Sequence, residues 1–159
     1  MFSIFKKSFS IFAPANGRVI DLASVPDQVF AQKMAGDGVA IEITGDIIAA
    51  PADGVLTLIF KTNHAFGITT DNGVEILTHI GLDTIELEGE GFERIAQEGI
   101  HVKAGDPLIK LNRPLIEGKG YSLLTSVLIT NVSFVDIIEY RVNTIVEAGK
   151  GLVMKYKIK

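Results

Sequence analysis

The chain contains no cysteine, which excludes a disulfide framework and all thiolate chemistry and fits a reducing compartment; a cytoplasmic protein is the expectation. No apolar run approaches the ~18 residues of a membrane-spanning helix. Residues 1–12, MFSIFKKSFSIF, place apolar residues ahead of Lys6 and Lys7 and only a short apolar run after them. That is a poor signal peptide, and it reads as a short leader entering a first strand. Basic clusters are confined to Lys6-Lys7 and the tail from Lys155 to Lys159, and the net charge is −4, so nucleic acid is not an expected partner. Histidine is scarce, with three in 159 residues. None lies in an HxH or HExxH spacing, and Asp83 would be at best a distant third ligand, so a zinc hydrolase is not expected. Gly36-Asp37-Gly38 lacks a following Lys-Ser/Thr and reads as a turn rather than a phosphate loop. Ser122, Ser126 and Ser133 lack a nucleophile-elbow context, so a serine hydrolase is unsupported. Helical pattern is also rare: residues 28–34 could form a turn, and 91–98 and 134–139 short helices.

What the chain has instead is turn punctuation. Sixteen glycines and 47% hydrophobic residues describe a globular chain of many short strands. Strand-like segments fall at 8–12, 17–21, 39–44, 47–50, 54–60, 65–69, 74–81, 107–111, 126–129 and 151–158, a spacing that argues for a sandwich or barrel. Residues 13–159 read as a single domain with no internal linker. Two echoes run through it. Ala-Pro-Ala-Asn-Gly at 13–17 returns as Ala-Pro-Ala-Asp-Gly at 50–54, and Val-Lys-Ala-Gly-Asp-Pro-Leu at 102–108 returns loosely as Val-Glu-Ala-Gly-Lys-Gly-Leu at 146–152. Good turn chemistry alone could produce them, but duplicated β units explain both.

The stretch 60–82, FKTNHAFGITTDNGVEILTHIGL, organises the rest. Asn72-Gly73 between two β-rich runs signals a two-residue type I′ hairpin. In that register His79 lies opposite Phe66, and His64 is its diagonal neighbour at about 7–8 Å between Cα atoms. Phe60, Thr62, His64, Phe66, Leu77 and His79 then share a face, while Val74, Ile76 and Ile80 point into the core. A slip of one residue would move His79 to the opposite face.

Two of three histidines on one face point to proton or group transfer near neutral pH, with a histidine as a candidate covalent nucleophile. Thr62 could bond one ring nitrogen of His64 and aim the other at the reacting atom. Asp83 could attract a cation, and His101 reads as ordinary surface. Val29, Phe30 and Met34 are candidates to join Phe60, Phe66 and Leu77 in an apolar rim of the kind a protein-docking surface needs.

Thr62-Asn63-His64-Ala65-Phe66-Gly67, Gly73-Val74-Glu75 and His79-Ile80-Gly81-Leu82-Asp83-Thr84, together with Ala13-Pro14, Val25-Pro26-Asp27-Gln28-Val29-Phe30-Ala31 and Leu87-Glu88-Gly89-Glu90-Gly91-Phe92, resemble enzyme IIA of the glucose family of the bacterial sugar phosphotransferase system. The likeness covers nearly the whole chain. It implies an all-β fold, an antiparallel β-sandwich, barrel-like and of the duplicated hybrid-motif type, with few short helices. It implies that His79 accepts a phosphoryl group from phosphohistidine on the carrier HPr and passes it to the cysteine of a IIB domain serving a glucose-type permease. His64 looks like the second active-site histidine, Thr62 its orienter, and the Gly81 carbonyl the acceptor of His79 Nδ1–H. Asp27 and Asp83 would pair with an arginine near the HPr histidine. Val29, Phe30, Met34, Ala35, Phe60, Phe66 and Leu77 would form the docking rim, with Ala35 and Leu77 smaller or less aromatic than the family pattern. The resemblance implies no required cofactor; zinc could lodge adventitiously at His64 and His79. The bounds of the chain favour a free IIA unit, and its leader is shorter than the amphipathic tail of standalone enterobacterial members. Regulatory target proteins are further expected partners. The rival reading is a regulatory binding module of the same fold that transfers nothing. A hybrid-motif metallopeptidase would need HxH, and a biotinyl-type carrier would need its turn lysine.

Overall fold

The computed structural model describes residues 6–159; the first five residues of the expected leader lie outside the described residues. Strands follow in the order β1 (Ser8–Phe12), β2 (Gly17–Asp21), β3 (Asp37–Ile43), β4 (Ile47–Ala49), β5 (Gly54–Ile59), β6 (Ala65–Thr69), β7 (Glu75–His79), β8 (Phe92–Arg94), β9 (His101–Val102), β10 (Pro107–Leu111), β11 (Thr125–Ile129), β12 (Val135–Tyr140), β13 (Ile145–Val146) and β14 (Leu152–Ile158). Two short helices interrupt them among the described residues, α1 (Gln28–Ala31) and α2 (Arg113–Gly118). The strands form one eight-stranded sheet, β13-β2-β3-β11-β7-β6-β5-β9, and two three-stranded sheets, β1-β14-β12 and β4-β10-β8. Every pairing is antiparallel, as the all-β reading expects.

Each small sheet covers one half of the inner face of the large one. Ile11, Val153, Met154 and Tyr156 pack on Val19, Val39, Ile41, Val127 and Ile129. Ile48, Leu108, Ile109 and Leu111 pack on Leu56, Phe66 and Ile68. Burying two continuous apolar faces against each other is what drives the sandwich to form.

The two halves repeat, bond for bond. Phe12 N–H donates to the Pro51 carbonyl at 2.8 Å, and Ala49 N–H returns the bond to Pro14 at 2.7 Å. Gly149 N–H donates to the Ala13 carbonyl, and Gly105 N–H to the Ala50 carbonyl, both at 2.8 Å. Asn16 Oδ1 accepts from Ala148 N–H and Asp53 Oδ1 from Ala104 N–H, again both at 2.8 Å. Gly17 pairs with Val146, and Gly54 with Val102. The echoes at 13–17, 50–54, 102–108 and 146–152 are therefore the same corner built twice around a pseudo-twofold axis that passes between β7 and β11.

Two expected helices are strands. Residues 91–98 contain β8, where Phe92 is buried, Glu93 and Arg94 are exposed, and all three pair with β10. Residues 134–139 contain most of β12, whose Val135, Asp136, Ile137, Ile138 and Glu139 nearly alternate in burial. Short apolar segments fit either period, and pairing to β10 and β14 decides the outcome here. The unanticipated helix α2 starts where the Asn112 side chain accepts from Leu115 N–H at 3.3 Å, with Pro114 in its first turn, a favoured start.

One break in the repeat bears on the site. Between β5 and β6 only the turn 60–64 intervenes, whereas β2 and β3 are separated by residues 22–36, including α1. That longer segment lays Leu22, Val25 and Phe30 over Ala40 and Leu128 on the outer face of the large sheet. The functional candidates collect along its border, at the central strand β7.

Candidate active site

β7 meets β6 with His79 opposite Ala65 and Thr78 opposite Phe66, one residue away from the expected register. The tip explains the shift. Thr70 N–H bonds the Val74 carbonyl and Gly73 N–H the Thr70 carbonyl, both at 2.9 Å. The loop therefore holds three residues, Asp71, Asn72 and Gly73, with Gly73 alone at positive φ, +87°. Such a loop is the common alternative to a two-residue turn. It is favoured by side-chain bonds that a type I′ turn would forgo: Thr70 Oγ1 to Asn72 Oδ1, and Asn131 to the Gly73 carbonyl and Glu75 N–H.

The shift removes Phe66 from the face of His79; it is fully buried in the core and is not part of any rim. Val74, Ile76 and Ile80 face the core as expected. The histidine pair survives because His64 is not held by strand alternation. It follows Asn63, which is left-handed at φ +59°, and its carbonyl accepts from Ile80 N–H at 2.7 Å. The turn thus brings the His64 ring back over β7. The two imidazoles meet edge to face, with centroids 5.0 Å apart and planes at 85°.

Each ring has one nitrogen bound within the chain. His79 Nδ1 lies 2.9 Å from the Gly81 carbonyl, an acceptor only, so Nδ1 carries the proton and Nε2 a lone pair. His64 Nδ1 bonds the Thr62 hydroxyl. His64 is buried at 2% exposure, and His79 is half-buried. Burial and the neighbouring His79 push the His64 pKa down to about 4. Burial also lowers the pKa of His79, opposed by the Gly81 bond and by the Asp27 and Asp83 carboxylates. Burial thus favours the neutral form of both rings.

Around them, the Phe30 ring lies 4.9 Å from His79 and the Phe60 ring 5.3 Å from His64. Asp27 caps α1, its carboxylate accepting from Val29 N–H at 2.9 Å. Asp83 takes a left-handed conformation at φ +58° just past Gly81. Leu77 and Ala35 pack against the cluster of Phe30 and Leu128. Val29 and Met34 project into solvent at 46% and 70% exposure. Of the expected rim, only Phe66 is elsewhere. Sequence reading passes over Ser126, the cross-strand partner of His79, whose Oγ is buried without a hydrogen bond. Its place beside His79 follows only from the β7–β11 register. Among the described residues no group of three or more His, Cys, Asp or Glu side chains could hold a metal ion. Among them, too, no helix is long and apolar enough to cross a membrane.

A neutral, half-exposed imidazole with a fixed tautomer, beside a second imidazole and two carboxylates, can exchange an electrophilic group through Nε2. Comparison with known proteins places that arrangement. The chain is 45% identical over 147 residues to the PTS system glucose-specific EIIA component of Haemophilus influenzae, covering 92% of this chain and 88% of that protein. It is 40% identical over 153 residues to the PTS system N-acetylglucosamine-specific EIICBA component of Klebsiella pneumoniae, covering 94% of this chain and 23% of that protein. The structure of glucose permease IIA from Mycoplasma capricolum superposes with a TM-score of 0.88 at 38% identity, over 95% of this chain and 97% of that one. Residues 9–135 match the profile of the phosphoenolpyruvate-dependent sugar phosphotransferase system, EIIA 1, and the chain belongs to that family.

Proposed function

We propose that this protein is a cytoplasmic phosphocarrier that takes a phosphoryl group from phospho-HPr onto His79 Nε2 and delivers it to the cysteine of a IIB domain for uptake of a glucose-type sugar. The observation that carries the reading is the edge-to-face pair with Nδ1 of each ring engaged, His79 on Gly81 and His64 on Thr62, which leaves both Nε2 atoms for the transferred group. In the first step the P–N bond to the donor imidazole breaks as a bond forms from phosphorus to His79 Nε2. Nδ1 keeps its proton, and the Gly81 carbonyl with Asp27 and Asp83 stabilises the positive charge that develops on the ring. Thr62 donates to His64 Nδ1, leaving His64 Nε2–H to donate to a phosphoryl oxygen. In the second step the P–N bond breaks as phosphorus bonds to the acceptor sulfur. The rings are set before the group arrives, so no entropic cost of orienting them falls on the transfer.

Phe30, Phe60, Leu77 and Ala35 with the exposed Val29 and Met34 supply an apolar docking surface around the pair, and Asp27 and Asp83 supply its negative charge. The EIICBA name of the Klebsiella relative, which joins A to B and C components, supports a IIB domain as the acceptor. The transfer requires no metal, although the two imidazoles could hold adventitious zinc. Regulatory proteins that distinguish the two phosphorylation states would use the same surface, because phosphorylation places negative charge on an apolar face.

The test is intact mass after incubation with phosphoenolpyruvate, enzyme I and HPr. A gain of about 80 Da that is lost in mild acid is the expected signature of a phosphohistidine. His79→Gln abolishes it; His64→Gln retains it and fails to pass the group to IIB. Equal donation by His64→Gln would overturn the assigned division of roles.

A further inference from the structure

We infer that Arg94 is a positioning residue for phosphoryl donation, holding the turn that presents Thr62 and His64 in the geometry the transfer uses; the inference rests on the phosphocarrier reading above. The turn 60–64 is short. It closes through Asn63 N–H to the Phe60 carbonyl at 2.7 Å and Phe60 N–H to the Ala65 carbonyl at 2.9 Å, with Asn63 in the left-handed region. Asparagine tolerates that conformation, so what remains to be fixed is the placement of the turn. Arg94 holds it from outside. Its Nε–H donates to Asn63 Oδ1 at 2.9 Å and its Nη2–H to the Phe60 carbonyl at 3.2 Å. One planar guanidinium therefore bridges both ends of the turn, an arrangement that lysine, with a single compact ammonium, cannot copy.

The bracing reaches one histidine and not the other. His79 is seated in β7 between β6 and β11, and its Nδ1 is fixed by Gly81. His64 lies outside the strand, and its tautomer depends on Thr62, which is itself within the braced turn. Arg94 belongs to β8, in a different sheet. A second side chain from the following segment acts at the same place: Glu98 Oε1 accepts from Ile59 N–H at 2.7 Å at the end of β5. Loosening the turn would misdirect His64 Nε2–H while leaving the nucleophile in place. Arg94 is exposed, so its bonds add little to overall stability, and its effect lies in orientation.

The experiment compares wild-type protein with Arg94→Met, Arg94→Lys and Asn63→Gly. It measures phosphoryl acceptance from phospho-HPr, donation to a IIB domain, and the His64 and His79 tautomers by nitrogen-15 NMR of the unphosphorylated proteins. Arg94→Met is expected to slow donation about tenfold while acceptance stays within about twofold, since a misplaced group costs orientation rather than nucleophilicity. The His64 resonances shift toward a mixture of tautomers, and those of His79 do not. Arg94→Lys recovers only part of the donation rate. Asn63→Gly, which keeps the left-handed turn and loses the acceptor, reproduces the loss. Wild-type donation by Arg94→Met overturns the inference, whether or not the His64 tautomer changes. If wild-type protein accepts no phosphoryl group, the phosphocarrier reading falls, and an unchanged His64 tautomer in Arg94→Met would separately overturn the bracing.

Discussion

His64 and His79 meet at 5.0 Å between ring centroids, a separation at which two protonated rings would repel and a neutral pair attracts edge to face. The protein keeps them neutral by burying them. For His64 the pKa falls from 6.5 to about 4, so between those values the unfolded chain binds a proton that the folded chain refuses. Stability therefore rises with pH across that window, is complete above 6.5, and is lost as pH falls toward 4. Each unit corresponds to about 1.4 kcal/mol at most. Urea unfolding at a series of pH values is expected to show wild-type protein losing stability faster than His64→Gln below pH 6.5. Parallel slopes would mean that His64 titrates normally. Burial also lowers the pKa of His79, against the pull of the Gly81 bond and the Asp27 and Asp83 carboxylates, and so favours a free lone pair on Nε2. What sequence reading could see at this scale was the pair itself and the residues touching it. It could not see Arg94, since it placed residues 91–98 in a helix, nor the buried Oγ of Ser126, which is defined only by pairing with His79 across β7 and β11.

Elements matter here mainly at their ends. The turn after β7 carries the carbonyl that sets the His79 tautomer, and its shape is enforced from three sides. Gly81 has φ +79°; a Cβ there would sit 2.5 Å from Thr84 Cγ2 and 2.7 Å from the Ser122 carbonyl oxygen. Leu82 N–H donates to that same Ser122 carbonyl at 3.0 Å, and Thr84 Oγ1 bonds the Ile80 carbonyl. Gly81→Ala must therefore move the turn. It is expected to cost more than about 1 kcal/mol, and to free His79 Nδ1, seen as mixed tautomers by nitrogen-15 NMR and slower acceptance from phospho-HPr. Unchanged acceptance would deny the carbonyl its role. The neighbouring hairpin shows how local signals mislead by one residue. Asn72-Gly73 marks the turn correctly, but Thr70 and Asn131 bond the loop as three residues. The register shifts by one, and Phe66 goes to the core instead of the docking rim. The pair was legible because histidines at both hairpin ends must approach; the means of approach, a left-handed Asn63 ahead of β6, was not.

The molecule as a whole is a nearly symmetric scaffold with an asymmetric site. Its repeated corners were readable because each needs the same small residues to pass backbone against backbone. Its histidine pair sits on β7 and the turn 60–64, bordered by the segment 22–36 that one half has and the other lacks, and no echo in the sequence announces that. The scaffold and the site are therefore separable by mutation. At the pseudo-twofold axis the turns around Gly105 and Gly149 touch: a Cβ built on Gly149 would lie 2.3 Å from Gly105 Cα and 3.0 Å from its nitrogen. A Cβ on Gly105 would lie 3.5 Å from Gly149 Cα, an ordinary contact. Both residues have positive φ, +76° and +95° for Gly149 and Gly105, so alanine pays similar backbone strain at either. Only at Gly149 must two corners also separate. Gly149→Ala is expected to cost on the order of 3 kcal/mol, a fall in Tm of about 6–12 °C for a chain of this size. Gly105→Ala should cost about 1 kcal/mol. Below its melting transition, each variant should transfer phosphoryl groups at the wild-type rate, because neither turn contributes to the histidine pair. Equal destabilisation by the two substitutions would show that backbone strain, and not the closeness of the corners, sets the cost.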